Sequence, residues 1–419
     1  MSRLDRLRMG KVETRHFQQF NELLRYVFQV TKKDLQMIGW EEREIALAKL
    51  PVLEKADVLG WFDGEKLISQ LAVYPFQVNI FGRTFEMGGL TGVGTYPEYA
   101  NMGLMNKLMR QALTDMQQRK QTISYLFPYS IPFYRRKGWE IISDKMSFEI
   151  RDNQLPKAKK VSGYVERLDT EHPDIHLVYR NFSSMRHSAM IRNDLAWDEY
   201  WRWDLEDLTA AVYYDRSHQP QGYLLYWISK DVLHVKEIVY IHQKARNGLW
   251  NFICAYFSMV SKVEGSTYTN DPLAFWLEDG DIKETIAPYY MARIVDAEQF
   301  IAQYPFRKMN TDIQLKFKLD DPILEWNQGV FTLHVSDTGQ GRLIQTEGSV
   351  DLSCDIQTLT TMLLGYKIPF YLAVIGRPAG TQQAVELLEN VIERETPYFP
   401  IIFNRSCPIW KDMEEKVSI

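Results

Sequence analysis

Cysteine is scarce in this sequence. Its 419 residues hold three, Cys254, Cys354 and Cys407, far apart and with no CxxC pair. An odd count at that spacing argues against a disulfide framework and a zinc site. His172 and His176 have the i,i+4 spacing of a metal pair, but Pro173 lies between them and no third ligand is evident, so no metal is expected. Long apolar runs are also missing. No stretch approaches the roughly 18 residues of a membrane span. Met1 to Lys11 is basic without an apolar core, so it is not expected to be a secretory signal. The net charge of -5 is small for this length and gives no reason to expect nucleic acid or an anionic membrane as a partner. These absences fit a reducing cytoplasm.

The chain is 45% apolar and 25% charged, the profile of a folded soluble protein, and its length implies two or three domains. Leu7 to Glu13 reads as a strand and Phe17 to Val30 as a helix. Val58 to Phe62 and Lys66 to Phe76 flank the hairpin turn Asp63-Gly64; Gln77 to Ile80 and Thr84 to Met87 flank a second hairpin at Phe81-Gly82-Arg83. A strand from Gly89 to Tyr96 stops at Pro97. Leu104, Met105, Leu108, Met109, Ala112, Leu113 and Met116 then form one broad helical stripe. Ile123 to Phe127 reads as a strand, Ile131 to Lys137 as a short helix ended by Gly138, and Trp139 to Ile150 as the extended segment closing the unit. A polar, proline-containing linker follows.

From Val161 to about Val295 a similar grammar recurs. Helix-like material at Trp197 to Asp207 precedes strands at Ala210 to Tyr214, Gly222 to Ile228 and Val232 to Ile241; Gly248-Leu249 then opens a helix reaching Val260. Strand, turn, Gly-Leu and helix occur in both halves, which suggests an internal duplication. The remainder holds strands near Asn327 to Ser336 and Gly341 to Thr346, and helices around Ile356 to Leu364 and Thr381 to Arg394. The cluster Trp197, Tyr200, Trp201 and Trp203 reads as a domain core or interface, and the acidic runs at Glu41 to Glu44 and Asp412 to Glu415 as solvated faces.

The chemistry concentrates in Val93-Gly94-Thr95-Tyr96-Pro97 followed by Glu98-Tyr99-Ala100-Asn101-Met102-Gly103-Leu104-Met105. A strand ends at a proline and a glycine opens a helix. The first turn of a helix has unpaired N–H groups and partial positive charge, a place where a pyrophosphate can dock. Alone this is weak, since most strand–loop–helix joints are only connections. The segment resembles the acetyl-CoA loop of the GNAT superfamily of N-acetyltransferases, V-x-V-x-P then R/Q-x-x-G-x-G/A. Pro132-Phe133-Tyr134-Arg135-Arg136-Lys137-Gly138-Trp139 resembles that superfamily's F/I-Y-x-x-x-G-F/Y/W segment. Over its whole length the chain is similar to the Eis (enhanced intracellular survival) proteins.

The resemblance implies α/β and α+β domains in series: a GNAT domain at 1–150, a degenerate GNAT-like domain at 151–295 and a sterol-carrier-protein-like domain at 296–419, with Met291 to Asp296 leading into the last. It implies acetyl-CoA as cosubstrate, a small-molecule amine (aminoglycoside or polyamine-like) or a protein lysine as acceptor, direct attack in a ternary complex, and a trimer or hexamer. Carried over by residue, Val93, Gly94 and Thr95 would meet the pantetheine arm and thioester. Asn101, Met102, Gly103, Leu104, Met105 and Asn106 would hold the pyrophosphate. Tyr129 and Ser130 would line the opposite wall, and Tyr134 would protonate the leaving thiolate. A thiol titrates near 8.5 and a tyrosine near 10, so that transfer is uphill by roughly 2 kcal/mol before nearby cations help.

Two positions depart from the pattern: Ala100 stands where the family has arginine or glutamine, and Met105 where it has a small residue. The loop therefore loses a phosphate-facing cation, which Lys107 or Arg110 could replace. For the base that frees the amine, the resemblance points to the carboxylate of Ile419. The tail here is more charged than the family's aromatic ending, so a frayed tail with Glu98 or a water chain as base stays open. No partner base is recognisable for Cys254 or Cys407, which leaves a covalent acyl-enzyme without support. The rival reading is a non-catalytic acyl-CoA or lipid-binding or assembly protein.

Overall fold

The computed structural model describes residues 3–31, 49–201 and 207–398. The first sheet is built on β1 (Leu7–Lys11), β2 (Asp57–Asp63), β3 (Lys66–Ile80), β4 (Arg83–Thr95) and β5 (Ile123–Leu126), with the two-residue β9 (Met190–Ile191) pairing on β3. The expected strands Lys66 to Phe76 and Gln77 to Ile80 are one strand, β3, and Thr84 to Met87 and Gly89 to Tyr96 are one strand, β4, because pairing continues unbroken through Phe76↔Met87 and Pro75↔Gly88.

Side chains alternate across this sheet. Ala72, Tyr74 and Phe76 face α1 (Phe17–Val27) through Phe17 and Phe20, while Leu71, Val73 and Leu90 face α2 (Leu104–Gln118) through Leu104, Leu108, Met109, Leu113 and Met116. Each large apolar side chain so buried stabilises by about 1.5–3 kcal/mol. The helix α2 is the crossover that makes β4 and β5 parallel.

The segment Trp139 to Ile150 does not close the first unit in one piece. Only β6 (Glu140–Ile141) joins the first sheet, while β7 (Asp144–Arg151) pairs in the second. The first sheet is completed from far downstream: β15 (Met291–Ile294) inserts between β5 and β6, antiparallel to both. The lead into the last domain is thus a strand of the first.

The second sheet also holds β8 (Tyr164–Leu168), β10 (Thr209–Tyr214), β11 (Pro220–Ser229), β12 (Val232–Tyr240), β13 (Lys262–Tyr268) and β14 (Lys283–Pro288). Its order, β8-β10-β11-β12-β13-β7-β14, repeats the first sheet's β1-β2-β3-β4-β5-β15-β6 position by position. β12 and β13 are parallel, as β4 and β5 are. The two halves share one topology and have traded their sixth strands.

Gly248 does not open the second crossover helix. That helix runs from Gln243 to Cys254, and Gly248 lies inside it because a Cβ there would strike the Tyr213 ring. Nor does Pro173 interrupt a helix. It is the first residue of one (Pro173–Met185), a position where the missing N–H costs nothing. His172 caps that helix, accepting from the Asp174 N–H at 3.3 Å, and His176 stacks on Trp197 at 4.3 Å.

The third sheet comprises β16 (Ile313–Asp320), β17 (Gly329–Val335), β18 (Gly341–Thr346), β19 (Leu352–Asp355) and β20 (Ala379–Gly380). Helices Ala297–Gln303, Ile356–Leu363, Pro369–Val374 and Gln382–Val391 pack with it. Trp203, Cys407, Ile419 and both acidic runs lie outside the described residues.

Candidate active site

Pairing between β4 and β5 stops early. It runs from Met87↔Ile123 to Gly89↔Tyr125, yet β4 continues to Thr95. β5 itself ends at Leu126, and just beyond the last pair β4 carries a bulge. Ala72 pairs with Thr91 and Gln70 with Gly94, so Leu71 alone faces both Gly92 and Val93. Gly92 sits at φ +65, and a Cβ there would meet the Phe20 ring at 2.6 Å. Leu90–Thr95 and the chain leaving Leu126 are thus not joined by strand pairing, and the gap between them is the candidate slot. On one wall are Val93, Gly94 against Val27, and Thr95, whose hydroxyl bonds Ser69 at 2.7 Å. On the other are Tyr129, exposed and edge-on to Phe28, and Ser130, whose carbonyl accepts from the Tyr134 N–H.

The N-terminus of α2 faces this region. Asn101 (φ +61) and Gly103 (φ +73) are both left-handed, which turns the backbone sharply before Leu104. No side chain caps the helix, and nothing lies within 4 Å of where a Gly103 Cβ would be. The first-turn N–H groups therefore lack a side-chain cap. Leu104 is buried, with Trp61 Nε1 donating to its carbonyl at 3.1 Å; Met102 and Met105 pack beside it, and Asn101 and Asn106 are exposed. These features fit a pyrophosphate: left-handed residues, one a glycine, a free helix start, and no side chain in the way.

The expected substitute cations have other neighbours in this structure. Lys107 Nζ sits 5.6 Å above the Trp61 ring, and Arg110 reaches toward Glu325 at 3.6 Å. Instead Lys137, half-buried, donates from Nζ to Asn106 Oδ1. Burial, and secondarily Arg136, lowers its pKa. Its place was not read from the sequence, although it stands three residues past Tyr134 and just before the left-handed Gly138.

Tyr134 is on α3 (Ile131–Arg135) and is buried in the same apolar cluster as Val93, Met102, Leu104 and Met105. Phe133 and Trp139 meet its ring edgewise at 5.1 and 6.3 Å. The third domain braces this helix from behind. Gln357 Nε2 donates to the Arg135 carbonyl at 2.8 Å, and Arg377 and Arg135 both reach Glu140 at 2.8 Å. Arg293 on β15 donates to the Lys137 carbonyl.

At the mouth, Tyr26 and Tyr96 lie 5.3 Å apart. The Tyr96 hydroxyl is raised above its ordinary pKa, first by burial and then by Glu22. Glu98, the substitute base, is held by Lys66 at 3.1 Å, a contact that raises the lysine's pKa. Ile419 lies outside the described residues.

The second domain repeats the slot and fills it. β12 and β13 pair only as far as Val235↔Gly265. Beyond that, Tyr398 enters, buried against Phe182 and Tyr268 at 5.0 and 5.2 Å, with Lys236, Glu237 and Asp271 around it. The cavity left is about 20 Å³, room for one water. The helix start is blocked as well, because His242 Nδ1 caps it by accepting from the Ala245 N–H at 3.1 Å. The aromatic cluster is this domain's core. Trp197 and Tyr200 enclose Arg192, which pairs with Glu237 at 2.7 Å, both side chains buried. Among the described residues no group of His, Cys, Asp and Glu could hold a metal, and no helix is long and apolar enough to cross a membrane.

Comparison with known proteins places the whole arrangement. Residues 8–142 and 188–294 each match an acetyltransferase (GNAT) domain, and 297–400 a sterol carrier protein domain. No curated protein matches the chain in sequence. Solved structures do match. A conserved protein of unknown function and probable N-acyltransferase from Enterococcus faecalis V583 is 25% identical, with TM-score 0.85, covering 95% of this chain and all of that one. A GCN5-related N-acetyltransferase from Anabaena variabilis shares the fold at 22% identity and TM-score 0.82, covering 95% of this chain and 100% of that one. Eis1 from Mycobacterium abscessus does so at 18% and 0.77, covering 94% and 99%. With two acetyltransferase (GNAT) domains followed by a sterol carrier protein domain, an order whose overall fold Eis1 shares, the chain belongs to the GNAT superfamily of N-acetyltransferases.

Proposed function

We propose that the first domain binds acetyl-CoA and passes the acetyl group to a primary amine by direct attack in a ternary complex. The carrying observation is the parting of β4 from β5 in front of an uncapped 15-residue helix. When bound, acetyl-CoA would supply an activated thioester. The main chain at Val93, Gly94 and Thr95 would orient it and offer fixed donors to the carbonyl oxygen. Asn101 to Asn106 would take the pyrophosphate, and Tyr129 and Ser130 would close the other side. Tyr134 would hand its hydroxyl proton to the departing sulfur; its burial excludes water from that step. The amine is protonated at neutral pH, and the carboxylate of Ile419 would remove its proton.

The acceptor is an aminoglycoside-like or polyamine-like compound, or a lysine side chain. The carboxylate of Glu22 and the rings of Tyr26 and Tyr96 beside the slot suit a cation. The enzyme would work in the cytoplasm as a homo-oligomer. Release of free thiol from acetyl-CoA, measured over a panel of polyamines, aminoglycosides and lysine peptides, tests this. Amine-dependent release is expected. Binding of acetyl-CoA without release by any amine would favour a protein that holds acyl-CoA without transferring.

A further inference from the structure

We propose that Lys137 supplies the cation that the phosphate loop lacks, binding the pyrophosphate of coenzyme A from the α3 side. The inference rests on reading the first-domain slot as a coenzyme site.

The loop offers little charge of its own. Ala100 is exposed and apolar where a cation would sit, Lys107 lies over Trp61, and Arg110 turns toward Glu325. Lys137 comes from another element and meets the first turn of α2. Its ammonium bonds Asn106 Oδ1, and its stem passes the Phe133 ring, with Nζ 5.7 Å from the ring centre. Among the described residues no carboxylate pairs with Lys137. It is a half-buried cation with one neutral amide acceptor. Partial burial strips hydration and strengthens its attraction to an anion. Arg136 adds positive charge nearby and, after burial, is the second cause of the lysine's lowered pKa.

The lysine is also pre-positioned. Gly138 is left-handed at φ +90, and a Cβ there would strike Arg293. Arg293 is fully buried, bonds the Lys137 carbonyl and is anchored on Asp321 of the third domain. The backbone carrying Lys137 is thus fixed from behind, and little order must be gained on binding. Asn106 would give up the ammonium to the pyrophosphate and remain beside it.

The test is calorimetric and needs no turnover. Coenzyme A and pantetheine, which lacks the pyrophosphate, are titrated into the full chain and into Lys137→Met, which keeps the aliphatic stem. The expected result is coenzyme A binding weakened roughly 10-fold, pantetheine binding unchanged, and a shallower dependence of coenzyme affinity on salt. Lys137→Arg should restore most of the loss. Lys137→Gln, a second neutral replacement, should weaken coenzyme A in the same way and covers the case of a misfolded Lys137→Met. Coenzyme A affinity within twofold of wild type in either folded neutral variant overturns the proposal, as does an equal loss for pantetheine. Failure of the unmodified chain to bind coenzyme A removes the underlying reading, and the proposal with it.

Discussion

One guanidinium nitrogen of Arg293 contacts both carboxylate oxygens of Asp321, at 2.5 and 2.6 Å, and neither side chain is exposed. Arg293 belongs to a strand of the first sheet and Asp321 to the third domain. Burial pulls the guanidinium pKa down and Asp321 opposes that shift. Asp321 also accepts from the Ile323 and Leu324 N–H groups at 2.9 Å and from Asn327 at 3.0 Å. The pair joins the sterol-carrier domain to the turn after Tyr134.

Asp321→Ala should therefore cost about 3–5 kcal/mol of stability, because it leaves a buried cation without its counter-charge. Urea unfolding of the full chain measures it. A loss below about 1 kcal/mol would mean that Arg293 finds water or another partner.

Tyr134→Phe keeps the ring among Phe133 and Trp139 and removes only the hydroxyl. It should lower kcat by about 100-fold or more while acetyl-CoA affinity stays near wild type. Steady-state kinetics with parallel calorimetry separate the two. An unchanged kcat would remove Tyr134 from the acid role.

Two glycines should fail in opposite ways. Gly103→Ala meets no neighbour and pays only for a left-handed backbone, about 1 kcal/mol, but crowds the helix start and should weaken coenzyme binding. Gly248→Ala overpacks the Tyr213 contact and should cost about 1–3 kcal/mol of stability, leaving coenzyme affinity alone. Calorimetry on the unmodified chain should give one coenzyme per chain, since Tyr398 and His242 block the second slot.

His187 should make stability depend on pH. It is buried where three domains meet: Phe81 stacks on it at 3.6 Å, the Phe81 N–H donates to its Nδ1, and its Nε2 donates to the Leu364 carbonyl at 2.8 Å. Burial holds its pKa down at about 4, against 6.5 when unfolded. The neutral ring's contribution is complete above pH 6.5 and is lost as the pH falls toward 4, because the unfolded chain takes up the proton first. At pH 5 the loss is about 2 kcal/mol. Urea midpoints of wild type and His187→Gln should converge between pH 7 and 5; parallel curves would contradict this.

Much of the fold could be read from local pattern. The stripe from Leu104 to Met116 predicts α2, and hairpin turns at Asp63-Gly64 and Phe81-Gly82 predict the first strands, because those signals are carried by adjacent residues. Gly103 was legible as a helix start. The similar Gly248 was misread, since a glycine demanded by a ring on another strand looks the same in one dimension. The traded strands Asp144–Arg151 and Met291–Ile294 could not be foreseen: alternation marks a strand but not its neighbour. Lys137 escaped for a related reason. The family pattern directs attention to the loop before α2, whereas the cation reaches it from α3.

The strand exchange bears on how the protein is made. Ile123–Leu126 leaves the ribosome long before its outer partner, and Ile294 follows Leu126 by 168 residues (294 − 126). At 5–20 residues per second that interval is about 8–34 s. Throughout it, Ile123–Leu126 has β4 on one side but lacks its finished neighbour on the other, and such an edge recruits other chains. The first sheet therefore reaches its final strand order only after the second domain has been synthesised.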